Sequence, residues 1–222
     1  RGLQIGDTNY MFSRGDSPWD HNQWAGNGAR GLRGMFSGVG MDWVNSPTDY
    51  DRDVGRCINF ADVSDGLSNS IAMSERVKAQ DATNVVSEGG TAMDVPETFV
   101  RSNPSICLTV INPTTKRYTV SVGAWGGLRW PDGAPAFTGH TTVLGPNTAS
   151  CTQNTWDGED GIYEPSSRHE GGVHALMGDG AVRFISDSID TGNTTCPPPD
   201  GRDGGGTPCG GGWGGPSPYG IW

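Results

Sequence analysis

The chain has 222 residues, a formal net charge of −10 and a pI near 4.7. Nucleic-acid binding needs clustered cations to neutralise phosphates, so this acidic balance excludes that class of partner. The hydrophobic fraction of 33%, with 36 glycines and 15 prolines, excludes a helical bundle and predicts short strands joined by long, ordered loops.

Residues 1–60 carry no sustained period of 2 or 3.6, which predicts packed loops with short strands and with Trp19, Trp24 and Trp43 as core plugs. Arg14-Gly15-Asp16 matches an adhesive tripeptide but is read as a turn, because short strings of this kind recur by chance in Gly- and Asp-rich sequence. Further along, Ser64-Asp65-Gly66 forms a turn, Ser68 and Asn69 can cap the next element, and Ile71 to Val77 reads as a strand. Segments 117–122, 136–144, 173–177 and 181–185 alternate or are β-branched between Gly, Pro and Asn signals, and all four are expected to be strands. The expected class is α+β, mainly β, built on a largely antiparallel sheet with long loops.

The densest local signal is SRHEGGVHALMGDGAVRFISDSID, residues 167–190. Val173, Ala175 and Met177 alternate with polar or small residues, Asp179-Gly180 supplies a two-residue turn with positive φ, and Val182 and Phe184 alternate on the return strand. The expectation is a β-hairpin that buries Val182 and Phe184 on the same face as Val173, Ala175 or Met177.

Five cysteines without a CxxC pair argue for disulfides over a metal ribbon or a redox centre. Cys196 and Cys209 bracket a Gly/Pro-rich stretch with little to pack, where a covalent clip would supply order that a core cannot. Cys107 and Cys151 are a second candidate pair, which leaves one cysteine unassigned. Residues 1–190 are read as the folded domain and 191–222 as a Gly/Pro-rich tail, in which Trp213, Tyr219 and Trp222 are candidate docking residues for a neighbouring copy. No apolar run approaches the ~18 residues of a spanning helix, so no membrane span is expected. Asn193-Thr194-Thr195 fits a glycosylation sequon on an exposed segment.

His169, nine intervening residues and Asp179-Gly180, followed by Ala-Val-Arg-Phe-Ile-Ser-Asp, resembles the H-x9-DG signature of a bacterial family of prepilin-type proteins. Residues 60–75, with Asp65, Gly66, Ser68, Asn69 and the closing Glu75, resemble that family's second signature, and Arg30 to Phe36 is a weaker third match. The resemblance implies a pilin-like head, an N-terminal hydrophobic helix that is expected to be absent from this chain, export to the cell surface or beyond, and assembly with copies of itself in filaments. It also implies that the motif residues are structural.

Catalytic readings fare less well. His169-Glu170-Gly171-Gly172-Val173-His174 has the wrong spacing for two zinc ligands on one helical turn, and its glycines oppose a helix. No nucleophile elbow accompanies His140, which reads as a satisfied sheet histidine. Asp157, Glu159 and Asp160 put three carboxylates on one loop, a donor set suited to Ca²⁺. The leading expectation is therefore a non-enzymatic, self-assembling structural subunit that requires no cofactor. The second is a calcium-assisted module for glycans or the cell envelope, and a secreted hydrolase ranks last.

Overall fold

A computed structural model of the chain describes residues 6–18, 33–36, 58–80, 84–95, 102–157, 160–199, 209 and 217–220. Trp19, Trp24, Trp43, Cys57, Glu159, Trp213 and Trp222 lie outside the described residues.

Eleven strands are described: β1 (Tyr10–Gly15), β2 (Ile71–Glu75), β3 (Gly90–Ala92), β4 (Ile111–Asn112), β5 (Arg117–Tyr118), β6 (Val122–Ala124), β7 (Gly139–Thr141), β8 (Cys151–Thr152), β9 (Gly161–Ile162), β10 (Gly172–Met177) and β11 (Val182–Ser186). They form a five-stranded sheet in the order β11-β10-β2-β1-β7, a four-stranded sheet in the order β6-β3-β8-β9, and a small β4-β5 ribbon. The fold is mainly β with a few short helices, as the composition predicts. In the larger sheet every pairing is antiparallel except β1 with β7.

The main core joins Val86, Ala92, Val95, Cys107, Tyr118, Val143, Leu144, Cys151, Ile162 and Tyr219. Disulfides bridge Cys107 to Cys151 and Cys196 to Cys209, the two pairs named from the sequence. Among the described residues no helix is long and apolar enough to cross a membrane.

Four local expectations need correction. Segment 136–144 is not one strand: a one-turn helix, Pro135–Thr138, precedes β7. Proline at the start of that turn has its φ fixed near the helical value, and its missing N–H costs nothing there. Segment 117–122 divides between the ribbon and the second sheet, because β5 ends at Tyr118 and β6 begins at Val122. Arg14-Gly15-Asp16 is no turn: Arg14 and Gly15 end β1, and both charged side chains are buried. The fourth is the buried face of the hairpin, which the turn at Gly180 reverses.

Residues 33–36 of the third matching segment pack on β1. Gly34 N–H donates to the Arg14 carbonyl at 2.9 Å and Phe36 N–H to the Ser13 carbonyl at 3.1 Å. A Cβ on Gly34 would collide with the backbone of Arg14 and Gly15, so only glycine allows this approach.

Candidate functional site

Strand β2 grows out of a tight turn. Gly66 adopts φ +87°, the Asn69 side-chain amide donates to the Asp65 carbonyl at 2.9 Å, and Ser70 Oγ donates to the Gly66 carbonyl at 3.2 Å. Ser68 and Asn69 lie in the single 3₁₀ turn Leu67–Asn69 that leads into β2. At the far end of the strand Glu75 and Arg76 point in opposite directions, as the two-residue period of a strand requires.

Arg76 is buried. Its Nη1 donates to the Glu164 carbonyl at 2.6 Å and to Ser150 Oγ at 3.0 Å, which ties β2 to the neighbourhood of β8 and β9. Glu164 is also buried, and its Oε1 accepts from Leu144 N–H at 2.9 Å and Thr141 Oγ1 at 3.0 Å. Burial pushes its carboxyl well above the usual range. His140 on β7 is fully buried, and desolvation pushes it down to about 4. Arg14 is driven down to about 10 for the same reason.

Glu75 faces outward, and two histidines converge on it. His174, on β10, donates its backbone N–H to Glu75 Oε2 at 2.7 Å and places its ring Nδ1 3.5 Å from the same oxygen. His169 lies in the loop before β10, and its Nε2 is 3.1 Å from Glu75 Oε1. Ser167 shapes that loop: its Oγ accepts His169 N–H at 3.1 Å and donates to the Gly172 carbonyl at 2.7 Å. The two imidazoles meet edge to face at 4.8 Å, and the His174 ring also meets Phe184 at 5.3 Å. The three donor atoms lie within 4.8 Å of one another, and the side chains are only partly covered. Beside them opens a cleft of about 590 Å³ lined by Asp7, Asn9, Lys78, Ser166 and Arg168, among others.

The hairpin turn differs from expectation. Gly180 N–H bonds the Met177 carbonyl at 3.0 Å, so Gly178 and Asp179 are the central residues, and Gly180, with φ +89°, follows as a bulge. This is a three-residue hairpin loop. Asp179 fixes it by accepting Ala181 N–H at 2.9 Å. The pairing becomes Leu176 with Val182 and His174 with Phe184. Val182 and Phe184 therefore stand on the outer face, 65% and 50% exposed, while Val173, Ala175 and Met177 are buried on the other.

The motif residues come together in this region. Glu75 and His169 touch, and Gly178 N–H reaches the Ser70 carbonyl at 2.8 Å. In the acidic loop, Asp157 lies 3.8 Å from the Arg129 guanidinium and Asp160 is buried. Asn193 Oδ1 accepts from Thr195 Oγ1 at 2.7 Å. Tyr219 is buried, with its hydroxyl donating to the Cys196 carbonyl at 3.1 Å, so its ring is engaged within its own chain. Sequence reasoning missed the role of His174. Its signal was the separation of five from His169, which excludes a helical turn but suits a loop entering a strand.

Residues 5–192 match the family described as protein of unknown function (DUF1559). The chain belongs to that family, one associated with bacterial pilin-like, prepilin-type proteins. Neither the curated proteins nor the solved structures contain a match.

Proposed function

We propose that this DUF1559 chain is the exported head of a pilin-like protein and acts as a structural subunit, associating with copies of itself at the cell surface or outside the cell. The observation that carries this reading is the edge of the five-stranded sheet. Among the described residues strand β11 ends the sheet, with Val182 and Phe184 exposed on it and no proline in its run. An edge of this kind presents unpaired backbone groups on which a further strand can continue the ladder, and soluble monomers ordinarily blunt it with charge, proline or a covering segment. Arg183 is the single charge in the strand.

Two further features support the reading. The H-x9-DG and Asp65 to Glu75 segments, which resemble prepilin-type signatures, serve here to build the turn, the strand and their mutual contact. Disulfides such as Cys107–Cys151 persist in oxidising compartments, in keeping with export. In this role the motif residues are scaffold, and neither a catalytic group nor a cofactor is needed.

The test is the association state of the protein. Sedimentation and negative-stain microscopy should show concentration-dependent oligomers or filaments, and a Val182→Lys, Phe184→Lys double variant should weaken them while leaving the circular dichroism spectrum unchanged. A wild-type protein that stays monomeric at the highest attainable concentration, with no filaments, would sink the proposal.

A further inference from the structure

We infer that Glu75, His169 and His174 form a binding site for a divalent transition-metal ion of the zinc class. The site is independent of the assembly role. Its donor spacing fits such an ion. A tetrahedral ion with bonds of 2.0–2.1 Å holds its donors about 3.4 Å apart. Here His169 Nε2 stands 3.1 Å from Glu75 Oε1 and His174 Nδ1 3.5 Å from Glu75 Oε2, and one donor atom from each residue lies within 4.8 Å of the others. Small rotations of two half-exposed rings complete the arrangement.

The donors are also held in place by their surroundings. Glu75 ends β2, paired with Tyr10 of β1, and its carbonyl accepts Ser166 N–H at 3.0 Å. Its Oε2 is steered by the His174 backbone N–H, which leaves Oε1 directed at His169. His174 is paired with Phe184 of β11, its carbonyl accepts Ser74 Oγ at 3.1 Å on the β2 side, and His169 is fixed by the Ser167 turn. Ligand atoms oriented by outer hydrogen bonds are the ordinary construction of a metal centre.

Donor chemistry selects the class of ion. Two imidazoles and a carboxylate suit Zn²⁺, Co²⁺, Ni²⁺ or Cu²⁺, whereas Ca²⁺ and Mg²⁺ prefer oxygen shells. The three donors leave at least one coordination position open toward solvent, on the rim of the cleft that His169 lines. The competing account is a plain histidine–glutamate contact that holds the loop to the sheet.

Titration calorimetry of the tag-free protein with Zn²⁺, and visible spectroscopy with Co²⁺, separate the two accounts. The expected result is one equivalent of metal per chain, a Co²⁺ absorption band of low-symmetry coordination, and no competition from millimolar Ca²⁺. His169→Ala, which alters an exposed loop side chain, and Glu75→Gln should each weaken binding by at least about tenfold. Unchanged circular dichroism would show that the fold survives. No saturable binding by the wild type, or wild-type affinity in His169→Ala, would overturn the inference.

Discussion

Glu164 and His140 are buried a short distance apart in the fold, yet their effects on stability run in opposite directions with pH. For His140, with a folded value of about 4 against 6.5 unfolded, the unfolded chain holds more protons between these limits. Its stabilising contribution is complete above 6.5 and falls by up to about 3 kcal/mol as pH drops to 4. For Glu164 the folded value lies above 4.5, so the folded chain holds more protons and stability is lost as pH rises from 4.5. The two oppose each other as pH rises from 4.5, where the His140 contribution is being gained and the Glu164 contribution lost. Urea unfolding midpoints should therefore carry a decline, superposed on the His140 gain, that sets in as pH rises above 4.5. Glu164→Gln, which keeps the Oε1 acceptor for Leu144 and Thr141 while removing the charge, should flatten that decline. An equally steep decline in the variant would mean that burial of the carboxyl is not its cause. His140 was legible as a sheet histidine, but nothing in the sequence near Glu164 announces its burial.

At the scale of elements, the hairpin shows what a sequence pattern can and cannot specify. The two strands and the Asp179-Gly180 punctuation were legible, because alternation and turn chemistry are local. The buried face was misread. A two-residue loop would have paired Ala175 with Phe184, while the bulge at Gly180 moves the pairing by one residue and turns Val182 and Phe184 outward. The alternation of β11 was real, but parity depends on a single turn residue. Gly180 offers a clean measurement, since a Cβ there meets nothing within 4 Å and any cost is conformational. Gly180→Ala should destabilise the fold by about 1–2 kcal/mol through its positive φ alone. A change near zero would show that the loop relaxes to another turn. Segment 136–144 failed for a related reason: β-branched residues near its end suggested a strand, but Pro135 and the Thr138 hydroxyl bond to the Asp132 carbonyl favoured a helical turn first.

For the molecule as a whole, the class was legible in composition, because a chain rich in glycine and turn-forming residues can bury a core only through short strands. The division into two sheets was not, since it depends on contacts far apart in the chain, such as Arg76 with Glu164 and Tyr118 with Ser150. Candidate site residues were half visible: His169 and Glu75 stood out as motif members, but their contact spans 94 positions, and His174 acquires meaning only once both strands are in place. The Cys107–Cys151 bond closes a separation of 44 residues within the core. Replacing both cysteines by serine should cost about 4 kcal/mol by loop-closure entropy, read as a lower thermal midpoint. A midpoint unchanged under non-reducing conditions would show that packing around Ile162 and Ala149 suffices.

The Cys196–Cys209 bond has a consequence for how this protein survives a proteolytic environment. Arg202 lies inside the loop that the bond closes, so a trypsin-like cut after it opens a ring and does not shed an end. Tyr219 would remain inserted in the core, still tethered through sulfur. Such a nicked chain would migrate as one species on a non-reducing gel and release its C-terminal fragment only after thiol treatment.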